Sequence, residues 1–217
     1  MTIHLCFHGI GTCAVEREPG ESRYWVAEGT FLRTLDQLRG RSDLELSFDD
    51  GNRSDVQVVL PALQERGLRA TFFPIAGRLD DPASLHADDL VALREAGMRI
   101  GSHGWQHVPW RRLTDAEAQR ELVEARLVLA AASGAPVTTA ALPLGRYDRA
   151  ALRRLKDTGY RAVYTSDRFP TRPTAWLQAR YSATAADSVE SLTAPLHRRP
   201  GLPEARNRLA SAVKRVR

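Results

Sequence analysis

Short apolar runs alternate with segments of helical periodicity along the 217 residues of this chain. Six runs have the length and composition of buried strands: 3–7, 44–48, 70–75, 98–101, 137–141 and 160–165, with a weaker candidate at 181–184. Apolar residues recur at helical spacing in 24–38, 56–65, 87–95, 114–132 and 148–158. This alternation predicts an α/β fold whose parallel strands are connected by helices.

The boundaries of several predicted helices carry start or stop signals. Thr114 and Glu117 form a capping-box pattern, in which each side chain accepts a hydrogen bond from a free backbone N–H at the start of helix 114–132. Gly67, Gly97 and Gly159 follow the ends of three other helices. We expect the remaining segments to be loops, apart from a basic helix near the C-terminus.

Length and composition suit one domain. The 43% hydrophobic content is enough for a full apolar core in a chain of this size. We expect a globular domain over 1–197, followed by a basic tail over 198–217.

The net charge of +5 is concentrated in that tail. Residues 198–217 contain seven basic side chains and one acid, Glu204, and so carry +6, which leaves −1 for the rest of the chain. Nucleic-acid-binding proteins usually spread basic charge over a docking face with a recognisable motif, so we expect no nucleic-acid partner.

Two interpretations of the tail stay open. It is either a solvated or frayed terminus, or a basic amphipathic helix that touches anionic lipid through Leu209, Val213 and Val216.

The compartment is inferred from the cysteines and from the absence of apolar segments. Cys6 and Cys13 are a poor framework for disulfides, which favours a reducing environment. The first residues lack a basic segment followed by a long apolar run, and no stretch approaches the length of a membrane span. We therefore expect a cytoplasmic protein, with peripheral membrane contact as an addition.

Two adjacent carboxylates stand at the end of a predicted strand, where Ser47-Phe48 runs into Asp49-Asp50-Gly51. The active sites of (β/α) barrels lie at this end of their strands. One carboxylate could hold a metal ion while the other moves protons. The alternative is a simple turn, because Asp, Gly and Asn are favourable turn residues.

Two histidines, His103 and His107, follow another predicted strand at a spacing of four. They can meet at one ion if the segment forms a helical or tight turn, and neutral imidazoles suit a borderline metal such as zinc. With one carboxylate they would supply three protein ligands and leave a position for water, as in catalytic sites. The alternative is a pair of unrelated histidines.

Three motifs together resemble the polysaccharide deacetylase family, also called NodB-like or carbohydrate esterase family 4. Segment 47–51 is similar to the first motif of that family, 101–107 to the second, and 140–148 to the third, which forms a groove wall. Their order and spacing match, and the likeness covers about 3–185. The resemblance implies a single distorted (β/α)7-type barrel.

The resemblance also implies a role for each site residue. Asp50, His103 and His107 would hold one divalent ion, zinc in the first place, with cobalt, manganese or nickel as alternatives. Asp49 would be the catalytic base that takes a proton from the attacking water. A backbone N–H near Leu144 or Gly145 would stabilise the oxyanion. The substrate would be the N-acetyl amide of a sugar or glycan precursor, contacted by Pro143, Leu144, Gly145, Tyr147 and Trp105. Trp105 could instead be a packing residue, as we expect for Trp110.

The sequence departs from the family pattern at two positions. The general acid of many members is a late histidine after a leucine, which here corresponds to His197, although its surroundings do not resemble a core strand. We favour His8, at the end of the first strand, because some branches of the family begin with the strand that carries the acid.

The third motif often carries an arginine that pairs with the base, and this chain has Leu142 there. We expect Arg180 to orient Asp49 instead, the alternative being a surface arginine.

The leading hypothesis is therefore a metal-dependent deacetylase. One rival keeps the metal but changes the substrate to a small ring amide or N-acyl metabolite. A second rival is an inactive, metal-bound carbohydrate-binding module. The position of His8 relative to the metal ligands and Asp49 discriminates between an enzyme and such a module.

Overall fold

The computed structural model describes residues 1–197 and 201–216, which contain eight strands and eight α-helices. The strands are β1 (Ile3–Phe7), β2 (Leu44–Asp50), β3 (Ala70–Pro74), β4 (Arg99–Ile100), β5 (Thr139–Ala141), β6 (Ala162–Thr165), β7 (Leu177–Ala179) and β8 (Tyr181–Ser182). The helices are α1 (Glu28–Leu38), α2 (Leu60–Glu65), α3 (Ala87–Glu95), α4 (Asp115–Ala118), α5 (Ala125–Ser133), α6 (Arg149–Asp157), α7 (Val189–His197) and α8 (Leu202–Val216).

The strands pair in parallel and form two sheets in the described part of the chain. Their orders are β4-β3-β2-β1-β8 and β5-β6-β7. Two links join the sheets. Ser102, just after β4, forms a parallel bridge with Ala140 of β5. At the other side, only Arg180 separates β7, which pairs with β6, from β8, which pairs with β1. Following neighbouring strands from β1 through β2, β3, β4, β5, β6 and β7 to β8 therefore leads back to β1.

The predicted α/β fold with parallel strands and helical connections is confirmed. The ladders do not form one continuous barrel sheet, since hydrogen bonding is reduced to a single bridge between β4 and β5. The reason is local: β4 has only two residues, and the chain then leaves the sheet at His103. This opening lies beside the predicted metal ligands.

Apolar packing fixes the C-terminal ends of the strands. Phe48 of β2 stacks on Phe7 of β1 and Phe72 of β3, with ring centroids 5.7 and 5.0 Å apart. Helix α1 adds Phe31, which contacts Phe7 and Phe48 edge-on. All four rings are fully buried. Because packed cores resist deformation, this cluster holds β1 and β2, which carry the predicted catalytic residues, in fixed register.

Most of the predicted strands and helices are present, and one helix is present that the sequence did not predict. The capping box at Thr114 and Glu117 forms, and helix 114–132 is observed as α4, a π-helical turn (Gln119–Glu124) and α5. The helix expected within 24–38 is α1, which begins at Glu28. Segment 185–197 was expected to be a loop, which is wrong. It contains α7, whose buried Val189 and Leu192 have helical spacing that Pro195 obscured.

Two further expectations concern the cysteines and the membrane. Cys6 and Cys13 are both free thiols. Among the described helices, none combines the length and apolar character needed to cross a bilayer. The predicted boundary at 197/198 falls at residues 198–200, which lie outside the described ranges; α8 follows them.

Candidate active site

The chemically active side chains meet at the C-terminal ends of the strands. Asp49 and Asp50 end β2, His8 follows β1, and His103 follows β4. Parallel strands place these ends at one edge, so residues distant in sequence converge there. Among the described residues, the three predicted metal ligands Asp50, His103 and His107 place one ligand atom each within 4.8 Å of the other two.

The donor atoms of this group point at one another. His103 Nε2 lies 3.5 Å and His107 Nε2 lies 3.6 Å from Asp50 Oδ1. That oxygen is buried and has no hydrogen-bond partner among the described residues. A buried carboxylate oxygen is normally hydrogen-bonded. The orphaned oxygen and the two imidazole nitrogens therefore form a donor set that fits a divalent cation such as zinc.

The other ring nitrogens fix the tautomers. His103 Nδ1 lies 3.0 Å from the Ala141 carbonyl oxygen, and His107 Nδ1 lies 2.7 Å from Glu18 Oε2. Carbonyl and carboxylate oxygens only accept, so both Nδ1 atoms donate and both Nε2 atoms can face a metal. Glu18 also pairs with Arg78. This is the outer support expected of a metal-binding histidine pair.

The two imidazoles differ in basicity. Burial lowers the pKa of His103 to about 4, so its ring is neutral near pH 7. Burial also acts to lower the pKa of His107, but the hydrogen bond to Glu18 and the charge of Asp50 outweigh it and raise that pKa. A metal ion bound here would therefore compete with a proton more strongly at His107 than at His103.

Asp49 is held apart from the donor set by an arginine. Arg180 Nη1 and Nη2 donate to the two Asp49 carboxylate oxygens at 2.6 Å each, and Nη1 also donates to Ser47 Oγ at 3.0 Å. Both charged side chains are buried. Burial alone would raise the pKa of the Asp49 carboxyl, but the Arg180 charge outweighs it and holds the pKa well below its usual range. Asp49 is therefore an oriented, ionised carboxylate.

His8 lies beside the same carboxylate. Its ring, Asp49 and Cys6 place one potential ligand atom each within 4.8 Å of the other two. The ring also packs on Tyr24, with centroids 4.8 Å apart, and His8 Nδ1 is buried without a hydrogen-bond partner in the described chain. His8 thus lies in the site and has a ring nitrogen that no protein group occupies.

A buried glutamate shapes the histidine-bearing loop. Glu121 accepts hydrogen bonds from the backbone N–H groups of Trp105 and Gln106, at 2.8 and 3.0 Å, and from Trp110 Nε1 at 3.3 Å. A Cβ atom at Gly104 would collide with the Glu121 carboxylate, and Gly104 has φ +82°. The loop between the two histidines is therefore a tight turn rather than a helix.

Backbone strain concentrates at the site. Five non-glycine residues have positive φ in the described chain, and four of them, Asp50, His107, Leu144 and Arg168, line one cavity. Left-handed backbone costs on the order of 1–3 kcal/mol for such residues and persists mainly where function requires it. Two of the four are predicted metal ligands, which supports a functional constraint on their geometry.

The cavity has a volume of about 410 Å³ and is lined by His8, Asp49, Asp50, His103 and His107. Its outer wall includes Leu142, exposed Leu144 and the arginines Arg23, Arg146 and Arg168. Leu142 therefore lines the site at the position where the family often has arginine. The guanidinium that contacts Asp49 comes instead from Arg180.

Several predicted contacts lie outside this cavity. Of the five predicted substrate-binding residues, only Leu144 lines it. Trp105 packs under the Arg120 guanidinium and against Gly77, because the tight histidine turn directs it to the neighbouring helix. Tyr147 is buried and donates to Asp167, so it is a wall support. Pro143 and Gly145 are buried behind Leu144.

The rejected candidate for the general acid lies elsewhere. His197 is exposed at the C-terminal end of α7 and does not line the cavity. Trp110 is fully buried, as predicted.

Sequence reasoning missed Glu18, Glu121 and Tyr24. Glu18 lies in the loop after β1, and no local sequence signal connects it with His107. Glu121 occupies an inward position of the long helix, where a charged residue in an apolar stripe was an available signal. Nothing local to Tyr24 indicated that it packs on His8.

Comparison with known proteins agrees with this geometry. Residues 38–163 match the family model described as polysaccharide deacetylase. YxkH of Bacillus subtilis (strain 168) is 25% identical over 140 residues, covering 64% of this chain and 50% of YxkH. Chitin deacetylase 1 of Cryptococcus neoformans var. grubii is 26% identical over 193 residues, covering 83% of this chain and 40% of that protein. The chain thus spans half or less of these relatives.

A solved structure extends the comparison to the fold. BC0361, a polysaccharide deacetylase from Bacillus cereus, superposes with a TM-score of 0.76 at 18% identity, covering 90% of this chain and 68% of that one. The fold is accordingly that of NodB-type deacetylases. With the match of more than half of its residues to the family model, the chain belongs to the polysaccharide deacetylase family.

Proposed function

We propose that this protein is a metal-dependent hydrolase that removes the acetyl group from an N-acetylated sugar or glycan precursor. The observation that carries the proposal is the convergence of Asp50, His103 and His107 on one point, beside the oriented carboxylate of Asp49. The names of its relatives, which include a chitin deacetylase, support the same chemistry.

Asp50, His103 and His107 would hold the cation. Two neutral imidazoles and one carboxylate favour zinc, although cobalt, manganese and nickel accept the same ligands. When bound, the ion would act as a Lewis acid on the acetyl carbonyl and make water more acidic. Ala141 and Glu18 hold the two rings in the required tautomers.

Asp49 is the proposed general base. Arg180 keeps it ionised and directs its two oxygens, so it can accept a proton from the water that attacks the acetyl carbon. The pKa of Asp49 lies below the ordinary range of carboxyl groups, which makes Asp49 a weak base. It can therefore take a proton only from a water that its surroundings have made more acidic.

His8 is the proposed general acid. The departing amine must be protonated as the C–N bond breaks, because an amide anion is a very poor leaving group. His8 lines the cavity near Asp49 and has a buried ring nitrogen without a protein partner. His197 is no longer a candidate, since it is exposed on another element. The position of His8 favours an enzyme over an inactive binding module.

The third-motif segment offers a donor for the oxyanion. The Gly145 N–H donates to the Leu142 carbonyl at 3.2 Å, so the neighbouring Leu144 N–H is the better candidate. Leu144 lines the cavity and has a left-handed backbone, with φ +56°. This backbone gives its N–H group a direction that a helical or extended residue would not have.

The test is acetate release from chitin oligosaccharides and peptidoglycan fragments, by apoprotein and by protein loaded with zinc or cobalt. We expect acetate release only from the metal-loaded protein. A parallel arm with small ring amides and N-acyl metabolites tests the rival substrate class. Metal binding with no release from any of these substrates would favour the binding module and overturn the proposal.

A further inference from the structure

Helix α8 packs with its polar side inward. The polar residues that contact the domain include Glu204, Asn207, Arg208, Ser211 and Lys214, of which Glu204 and Ser211 are buried. Its large apolar residues, Leu202, Leu209, Val213 and Val216, are exposed by 87, 69, 41 and 73%. The spacings within each set place the two sets on opposite sides of the helix. A surface helix normally packs the other way, with its apolar stripe toward the core.

The inward contacts of α8 are specific. Ser211 Oγ hydrogen-bonds with Tyr147 Oη at 3.0 Å, and Lys214 Nζ donates to Asp167 Oδ1 at 2.6 Å and to the Gly145 carbonyl at 3.2 Å. Asn207 Nδ2 donates to the Arg168 carbonyl at 3.1 Å. These bonds fix the orientation of α8 without its apolar residues. Leu202, Leu209 and Val216 therefore keep most of their apolar surface outside the described domain.

The charge around this face selects an anionic partner. Glu204 is the only acid within α8, and it is buried on the inward side. Arg206 is exposed and borders the apolar stripe, one turn from Leu202 and Leu209, whereas Arg208 donates to the Pro170 carbonyl on the domain side. A second copy of this chain would present the same positive charge to its partner. Like charges across an interface are unfavourable, so the sequence opposes self-association through this face.

We propose that the exposed face of α8 docks on an anionic lipid bilayer. The helix would lie in the plane of the interface, with Leu202, Leu209, Val213 and Val216 below the headgroups and Arg206 at the level of the lipid phosphates. Few apolar side chains and few cations take part, so binding is reversible and weakens with ionic strength.

Docking would also position the cavity. Lys214 and Asn207 bond to the segments that carry Leu144 and Arg168, two residues of the cavity wall. An α-helix is about 10 Å across, so this wall would lie close to the membrane surface. The docking does not depend on the hydrolytic activity proposed above and can be tested without it.

The test is co-sedimentation of the full chain with vesicles of phosphatidylcholine alone or mixed with phosphatidylglycerol. We expect binding to the mixed vesicles only, and loss of that binding at high salt. The double variant Leu209→Ser/Val213→Ser and the variant Arg206→Glu should each weaken binding by about tenfold or more.

Matched controls make the same changes elsewhere. Leu127→Ser/Val128→Ser alters two other exposed apolar residues, and Arg39→Glu reverses an exposed charge after α1; both should bind like wild type. Binding to neither vesicle, equal binding to both, or equal effects of the test and control variants would overturn the proposal. A dimer in light scattering that Leu209→Ser/Val213→Ser dissociates would overturn it as well.

Discussion

Arg180 forms two parallel hydrogen bonds of 2.6 Å to the Asp49 carboxylate, although 131 positions separate them in sequence. The guanidinium is fully buried, with Ser47 and the rings of Phe73 and Tyr164 around it, whereas Asp49 lines the cavity. Bidentate pairs of this kind fix direction as well as charge. Arg180 therefore determines which way the proposed base faces, while Asp50, the next residue, is left to the metal.

Replacing Arg180 with lysine tests this orientation. Lysine keeps the charge but offers no planar fork, so Asp49 should lose its fixed direction. We expect kcat for acetate release to fall about 10- to 100-fold, with KM and zinc affinity nearly unchanged. The control is Arg126→Lys, which alters an arginine that bonds the Val137 carbonyl away from the site. Equal losses in both variants, or a change mainly in KM, would contradict an orienting role.

The contact between Glu18 and His107 predicts an effect on metal affinity. Glu18→Gln removes the charge that holds the His107 ring through Nδ1. Loss of such outer partners typically weakens metal binding by about 10- to 100-fold. Zinc affinity from isothermal titration calorimetry provides the measurement, with Glu16→Gln, an exposed residue of the same loop that bonds Ser22, as control. Unchanged zinc affinity in Glu18→Gln would exclude the support we assign to Glu18.

The Lys214–Asp167 ion pair predicts a stability effect in the cavity wall. Asp167 is buried and accepts from Lys214 and Tyr147, so Lys214→Met leaves a buried carboxylate with one partner fewer. We expect the free energy of unfolding to fall by about 1–3 kcal/mol in chemical denaturation. Lys156→Met, at the other lysine of the chain, removes only an exposed ammonium over the Trp176 ring and should lower it by no more than about 0.5–1 kcal/mol. A similar small change in Lys214→Met would show that the pair does not stabilise the wall.

Strands and motifs were predictable because their signals are local. The five residues of β1 and the nine of α3 match their predicted limits, since apolar periodicity and glycine punctuation determine them. Asp49, Asp50, His103 and His107 could be named because they follow strand ends, and such ends converge in a parallel sheet.

The supports of the site were harder to predict because they depend on tertiary contacts. Glu18 reaches His107 across 89 positions, and no local pattern encodes that distance. Tyr147 was assigned to substrate, but the packing of α8 buries it beneath Ser211. Two interpretations of α8 stayed open in the sequence, because periodicity locates an apolar face without saying which side of the helix meets the domain.

Buried His4 predicts acid sensitivity of the fold. Burial lowers the pKa of His4 from 6.5 to about 4, so the folded state favours the neutral ring. This contribution to stability is complete above pH 6.5 and is lost as pH falls toward 4, because the unfolded chain binds the proton more strongly there. Between pH 6.5 and 4, the free energy of unfolding should therefore fall less in His4→Phe than in wild type. The difference between the two falls should be on the order of 2–3 kcal/mol.

Denaturant unfolding at several pH values measures this difference. His197→Gln, at an exposed histidine, should follow the wild-type pH profile. Identical profiles for His4→Phe and wild type would mean that His4 does not titrate in this range.

The central claim is that Asp50, His103 and His107 hold the metal while Asp49 moves the proton. It is tested most directly by measuring bound zinc and acetate release on the same sample of Asp49→Asn, beside wild type. We expect Asp49→Asn to bind zinc as wild type does and to release acetate about 10²- to 10⁴-fold more slowly. Wild-type release by Asp49→Asn, or loss of its zinc together with its activity, would contradict this division of roles.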